Sequence, residues 1–545
     1  MVREGRHGET LQAFRSVPGG ERRGRRKFAG RGCYPPAIAQ TPNPAPSPSL
    51  DGEQLRYILG LKLKTLRKER GRPLKAIAAR SGLSVSYLSE IEKGKKYPKP
   101  GKLIELARAL DVPFDSLVTL QVGEELDPVK AVFSSSLLRE FPFDLFGVEP
   151  QDLFDLVTQD PTKAGALLRT FLEVGRIYDV HAEHFLLAAL RSYQQMHANY
   201  FEELEDAAAS LRRARGWSGR TPPSFSRLRA VLERDYGYEL DVETLPADPD
   251  LKSLRSVFRD GPRPRLLVNG RLMPSQKAFV AAREIGYRVL GLKERPATST
   301  WIKVESFEQV LNNFKASYFA GALLIGRDVL REDLARFFAR PKWDGAALAD
   351  GMRRYDATPE TFFYRLTQLV PRFFGLREIF FMRFSQSPRT GGPALTKVFN
   401  LSRVPVPHGV GSAETYCRRW PVLRLLHDMS RRGKRRGGPA VMAQRSRFLD
   451  TGAEFFVIAM ARPLALTDGA SSSVSLGFLL DDALREKIRF WDDPAVPRSD
   501  VNLTCERCRL VPSECHDRAA PPVLHDRQQQ QSRKEEALRR LLATL

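Results

Sequence analysis

Apolar positions recur at helical spacing in the chain's first quarter, and the pattern then changes character several times. Within LGLKLKTLRKERGRPLKAIAARSGLSVSYLSEIEKGKKYPKPGKLIELARALDVPFDSL (59–117), four helices are predicted at 60–70, 74–81, 84–93 and 101–110. Gly82 stands where a tight turn needs a residue tolerant of positive φ, and Ser84 is a good N-cap for the third helix. Ala78, Leu83, Leu88 and Ile91 are expected to face inward. From 122 to 216 the pattern is again helical and ends in AEHFLLAALRSYQQMHANYFEELEDAAASLRRARG, which reads as one long amphipathic helix stopped by WSGRTPPS at 217–224.

Residues 225–345 read as helices at 225–236, at 274–291 and from 306 to 340, with short strands near 238–242, 264–273 and 300–304. RPKWDG at 340–345 marks a boundary. Beyond it come a helix-turn-helix-like TPETFFYRLTQLV (358–370) and strands at 378–384, 394–400, 454–461 and 472–479. A helix follows the last strand, so a sheet with flanking helices is expected. RRGKRRGG at 431–438 reads as an exposed loop and the tail from 528 as a polar helix.

A chain of 545 residues exceeds one core, and a hydrophobic content of 42% supports several. The expected division is a basic arm at 1–52, a DNA-binding domain at 53–120, a helical connector or sensor at 121–218, an α+β domain at 219–345 and a C-terminal α/β domain at 346–545. The net charge is +23, and the first 118 residues hold more than half of it. A polyanion is therefore expected at that end. The arm, with RRGRRKF at 22–28 and TPNPAPSPS at 41–49, has no hydrophobic period and is expected to be disordered. It would either add phosphate contacts or be meaningless residues from an upstream start. No membrane span and no apolar signal core are legible, so the expected location is cytoplasmic.

The stretch 59–117 resembles the Cro/repressor (XRE-type) class of helix-turn-helix domains. On that resemblance Val85, Ser86, Tyr87, Ser89 and Glu90 lie on or near the face turned toward the major groove, and Arg67 pairs with Glu92 to tie the first helix to the third. Lys93, Lys95, Lys96 and Lys99 follow where phosphates pass. Double-stranded DNA with a palindromic operator, and a homodimer or higher homo-oligomer, are the expected partners.

FVAAREIGYRVLG (279–291) and ESFEQVLNNFKASYFAGALLIGRD (305–328) resemble the ImmA/IrrE family of zinc peptidase-like domains. The family's HExxH binds zinc through two histidines and uses the glutamate as general base. Here those positions hold Arg283, Glu284, Ile285, Gly286 and Tyr287, and no carboxylate occurs from 309 to 327, where Lys315 stands. A zincin-like fold without peptidase activity is expected. His181, His184 and His197 lack a clear set of metal-ligand spacings and are read as structural.

Cys505, Cys508 and Cys515 form C-x2-C-x6-C, and Cys417 lies upstream. Cys33 belongs to the arm. Four thiolates suit a tetrahedral zinc or an iron–sulfur cubane, with His516 a possible substitute for Cys417. The order of segments resembles bacterial regulators of short-chain acyl metabolism, those of the glyoxylate and methylcitrate pathways. That resemblance implies a [4Fe–4S] cluster ahead of zinc, and an acyl-CoA effector. Arg191, Tyr193, Asn199 and Tyr200 offer a cation, rings and an amide at near-helical spacing for such a ligand, or else belong to a packed helix. The rival functions are a repressor-cleaving zinc peptidase and a phage or toxin–antitoxin repressor without a metabolite ligand.

Overall fold

The computed structural model describes residues 52–118, 182–217, 219–298, 306–387, 392–402, 404–407, 414–432, 439–511 and 513–544. The arm, most of the connector, the strand expected at 300–304 and the loop at 433–438 lie outside these residues.

Residues 52–118 form five helices: α1 (Gly52–Glu69), α2 (Leu74–Ser81), α3 (Val85–Glu92), α4 (Pro100–Leu110) and α5 (Phe114–Val118). Leu59, Leu63, Ile77, Leu88, Ile91 and Leu106 build their shared core. Ala78 is buried with them and Leu83 packs half-buried at the edge. Gly82 closes α2 in the left-handed region at φ 65°, and the Ser84 Oγ accepts the Tyr87 N–H at 3.1 Å to open α3.

The segment expected as one long helix is two, α6 (Ala182–Met196) and α7 (Glu202–Ala214). Ala198 and Asn199 break it with φ of 49° and 55°. Asn199 is fully buried: its Oδ1 accepts from Gln194 Nε2 at 3.0 Å and its Nδ2 donates to Thr367 Oγ1 at 2.8 Å. Those side-chain bonds replace the helical ladder that the apolar period alone would have continued.

Next come α8 (Phe225–Tyr236), β1 (Glu239–Asp241), α9 (Thr244–Ala247), β2 (Ser256–Arg259), β3 (Arg265–Val268), α10 (Pro274–Val289), α11 (Phe307–Leu324) and α12 (Arg327–Phe338). The three strands order β1-β3-β2, with β1 parallel and β2 antiparallel to β3. Helix α10 carries the five positions that align with HExxH and crosses α11 closely. A Cβ on Gly286 would stand 2.9 Å from the Phe319 ring and 3.1 Å from the Ala316 carbonyl oxygen, so this position serves helix packing.

The remaining elements are α13 (Gly345–Arg354), α14 (Pro359–Phe374), β4 (Ile379–Gln386), β5 (Pro393–Asn400), α15 (Pro421–Arg432), β6 (Ala440–Phe448), β7 (Glu454–Pro463), β8 (Ser471–Leu479), α16 (Asp482–Lys487), β9 (Arg498–Val501) and α17 (Val523–Thr544). The helix-turn-helix-like stretch at 358–370 is instead the single helix α14, capped by the Thr358 side chain. Six strands order β5-β4-β8-β7-β6-β9, antiparallel except for the β6–β9 pair. Alternation along β4 sends Phe381 into one core with Val474 and Phe478, and Phe380, Met382 and Phe384 into a second with Trp420 and Leu426. The first core runs without interruption from Leu186 on α6 to Val496, so packing crosses the boundaries expected at 218 and 345. Helix α17 has no buried residue. Among the described residues no helix is long and apolar enough to cross a membrane.

Candidate functional site

On α3, Val85 and Ser86 are exposed and Tyr87, Ser89 and Glu90 half-buried, as a groove-facing surface requires. The expected bridge is present in bidentate form: Arg67 Nε donates to Glu92 Oε1 at 2.6 Å and Nη2 to Oε2 at 2.9 Å. Of the basic residues that follow, Lys93, Lys95, Lys96 and Lys99 are all exposed. Lys96 folds back to Glu90 at 2.8 Å and over the Tyr87 ring, which ties it to α3 itself.

The positions that align with HExxH hold an internal cation. Glu284 is wholly buried on α10, and its Oε1 accepts from Arg295 Nη2 at 2.7 Å. The Arg295 guanidinium lies between two rings, 3.5 Å from the centroid of Phe258 and 4.1 Å from that of Tyr287. Tyr287 turns its hydroxyl to Asn313 at 3.3 Å, and burial pushes that phenol up to about 12. Arg283 turns the other way and donates to Ser256 Oγ at 3.2 Å. None of the flanking groups is a zinc ligand.

Beside α10 lies a cavity of about 470 Å³, open to solvent on one side and lined by α6, α10, α11, α14 and the β5-β4 edge of the large sheet. Its apolar wall includes Leu187, Leu190, Phe279, Phe314, Phe381 and Phe399. Seven cations reach it: Arg191, Arg255, Arg283, Arg365, Arg383, Lys397 and Arg462. Arg365 is neutralised by Glu205, which accepts at 2.5 and 2.7 Å, and Arg462 by Glu360 at 2.9 Å. Burial would raise the Glu360 carboxyl, but Arg462 and Arg383 overcome it and hold the group near 2. Arg283 lies 3.9 Å from a Glu284 oxygen already taken by Arg295. Arg191, Arg255, Arg383 and Lys397 have no carboxylate partner among the described residues. Burial, reinforced by Arg383, Arg462 and Arg283 and opposed by Glu360, pushes Arg255 down to about 10. Excess like charge in a partly enclosed, partly apolar space is relieved by an anion.

Of the four effector candidates, Arg191 alone reaches this cavity. Tyr193 is buried against His197 and Phe201, Asn199 forms the helix break, and the Tyr200 hydroxyl accepts from Arg327 at 3.2 Å. Their near-helical spacing lost its meaning once the helix ended at Met196. His197 is engaged in ring contacts, whereas the side chains of His181 and His184 lie outside the described residues.

The four cysteines meet. Cys417, Cys505, Cys508 and Cys515 are all buried and line one small pocket of about 10 Å³ with Arg419, Asp500, Asn502, Leu510 and Arg518. A backbone bridge pairing Tyr416 with Thr504 brings the distant Cys417 to the C-x2-C turn. The Cys505 N–H donates to Thr415 O at 2.9 Å and Cys417 N–H to Leu503 O at 3.3 Å. Arg518 closes the turn by donating to the carbonyls of Cys505 at 2.9 Å and Cys508 at 3.1 Å, and to that of Leu510. Burial pushes the Cys417 thiol up to about 11, against backbone N–H groups of Asn502 and Arg419 that lower it. His516 is exposed and outside the pocket lining. Among the described residues no three His, Cys, Asp or Glu side chains converge on one metal-ion position.

The family model for a helix-turn-helix matches residues 63–117, and that for the IrrE N-terminal-like domain, a peptidase family, matches 238–367. The uncharacterized HTH-type transcriptional regulator y4dJ of Sinorhizobium fredii is 42% identical over 65 residues, covering 12% of this chain and 84% of that protein. The transcriptional regulator ClgR of Mycobacterium tuberculosis is 35% identical over 72 residues, 13% of this chain and 63% of ClgR. The HTH-type transcriptional repressor RghR of Bacillus subtilis is 40% identical over 60 residues, 11% of this chain and 44% of RghR. A solved Mycobacterium tuberculosis transcriptional regulator aligns with 61% of this chain and 92% of its own, at 20% identity and a TM-score of 0.41.

Proposed function

This chain belongs to the helix-turn-helix transcriptional regulators, and from that premise we propose that its DNA binding is governed by an anionic effector of the acyl-CoA class held in the large cavity. The carrying observation is the set of four cations, Arg191, Arg255, Arg383 and Lys397, left without carboxylates beside an apolar wall. Guanidinium groups match phosphate oxygens in pairs, and the phenylalanines and leucines suit an acyl chain or pantetheine arm. A binding energy that differs between two protein conformations is what an effector needs to change DNA affinity.

The IrrE-like domain serves here as architecture for that cavity rather than as a peptidase. Arg295 supplies the positive charge beside Glu284 that zinc supplies in an active member, and it brings no water to activate.

The cysteine pocket fits a thiolate-held group. Four thiolates suit a tetrahedral zinc or a [4Fe–4S] cluster, and the resemblance to the acyl-metabolism regulators puts the cluster first. Cys417, Cys505, Cys508 and Cys515 would hold it, and Arg518 would fix the turn that presents two of them. Anaerobically purified protein is expected to be brown, and Cys417→Ser alone to bleach it as fully as Cys505→Ser.

Calorimetry of the full chain with coenzyme A, acetyl-CoA and propionyl-CoA tests the effector. Saturable binding that Arg255→Met and Arg383→Met each weaken by at least about tenfold supports it. Absence of heat with all three ligands removes it.

A further inference from the structure

We propose that Lys397 is a nucleophile that accepts an acyl group from an activated acyl donor whose phosphate is held by the cavity's arginines. The proposal rests on the anion-binding reading of the cavity above.

Three placements carry it. The register of β4 and β5 sets Lys397 directly opposite Arg383, both on the face that lines the cavity. Like charges opposed across a strand pair disfavour two simultaneous cations. Second, the Lys397 Nζ stands 3.3 Å from the centroid of the Tyr364 ring, with no carboxylate partner among the described residues, since Glu360 is held by Arg462. Third, Lys397 is exposed and lines the cavity, so a ligand there can reach it. The ring face favours an ammonium, whereas enclosure and the neighbouring guanidinium favour the free amine. The second pair wins: burial, then Arg383, pushes the group down to about 7. A lysine that is substantially neutral near pH 7 beside fixed arginines has the two features of an activated amine, a free lone pair and an anchor for an anionic electrophile.

The step balances without any oxidant or reductant. The Nζ lone pair attacks the acyl carbonyl carbon and a C–N bond forms. The bond from that carbon to the carrier's sulfur or phosphate oxygen breaks, the leaving group keeps the electron pair, and the surplus proton passes to it or to solvent. An acyl thioester of a phosphorylated thiol and an acyl phosphate share this chemistry. The product, an amide, removes one positive charge from the cavity and outlasts release of the carrier.

The full-length protein is incubated with acetyl-CoA and, separately, with acetyl phosphate at pH 8, and acetylation of every lysine is followed by peptide mass spectrometry. Lys397 is expected to react at least about tenfold faster than the other exposed lysines, and to lose that advantage in urea. Lys397→Arg keeps the cation and removes the adduct. Reaction with acetyl-CoA alone or acetyl phosphate alone identifies the carrier. Calorimetric binding of unacylated coenzyme A without preferential acetylation of Lys397 by either donor overturns this inference and leaves the effector reading standing. Absence of both binding and preferential acetylation overturns both.

Discussion

Helix α10 separates two ways of placing cations inside this molecule. On one side Glu284 and Arg295 form a closed pair, wholly enclosed and capped by the rings of Phe258 and Tyr287. On the other, Arg191, Arg255, Arg383 and Lys397 surround open space with no carboxylate of their own. The first site carries its own counter-charge, although Glu284 Oε2 and Arg295 Nε have no hydrogen-bond partner there; the second would take its counter-charge from outside. Removing a cation should therefore have opposite consequences on the two sides.

The largest effect belongs to the closed pair. Arg295→Met removes the cation hydrogen-bonded to buried Glu284 and leaves Arg283, 3.9 Å away, as the nearest counter-charge, so the cost approaches the about 3–5 kcal/mol of breaking a buried ion pair only where Arg283 fails to close in. Urea unfolding measures it. The double variant Glu284→Gln with Arg295→Met removes the orphaned charge and should recover a large part of the loss. A single variant within about 1 kcal/mol of wild type would mean that Glu284 finds another partner or takes a proton at little cost.

In the cavity the sign reverses. The Arg255 guanidinium has no hydrogen-bonding partner among the described residues, and Arg383, Arg462 and Arg283 repel it against the attraction of Glu360. Arg255→Met should stabilise the ligand-free protein by about 0.5–2 kcal/mol while weakening the binding of phosphorylated ligands. Destabilisation by Arg255→Met would show that the cavity is a structural pair whose acid was overlooked.

Smaller still, and confined to the DNA-binding domain, is the effect of surface lysines. Lys95→Ala with Lys99→Ala should lower affinity for all DNA sequences alike and reduce the slope of log K against log salt by about 2. Ser86→Ala with Ser89→Ala should instead relax sequence choice at near-constant slope. If both pairs changed specificity, phosphate anchoring and base reading would not be separable on this surface.

The two regions also differ in how much of them the sequence reveals. In residues 52–118 each signal is local: Gly82 and Ser84 flank the turn they make, and Arg67 and Glu92 sit on neighbouring helices whose periods fix their facing. The cavity has no local signal. Arg255, Arg383, Lys397 and Arg462 come from four strand or loop segments and meet only because the β5-β4 edge closes over α10 and α14. Arg295 sits in an unremarkable KERP turn, and only its stacking on Phe258 discloses its role. Strands β2, β6 and β9 were missed because they are short or carry polar runs such as AQRSR, which pairing with β7 and β9 forces into extended form. The cysteines stand between these extremes. Residue type marked all four, while the bridge from Tyr416 to Thr504 that joins them left no trace in the spacing.

The finest probe of the contrast is the proton carried by Lys397, whose ordinary value of 10.5 falls to about 7 in the folded chain. Between those two values the unfolded chain holds a proton that the folded chain has released. Stability from this group therefore rises with pH across the window from about 7 to 10.5. A bound phosphate reverses the local preference, because an anion beside Nζ favours the ammonium. Binding of unacylated coenzyme A at pH 8 should then take up a fraction of a proton, seen as a binding heat that varies with the ionisation enthalpy of the buffer. Affinity should fall as pH rises through and above 7, and Lys397→Met should abolish both effects. Glu284 and Arg295, already paired, should contribute nothing to that uptake. A buffer-independent heat in the wild type would place the phosphate away from Lys397.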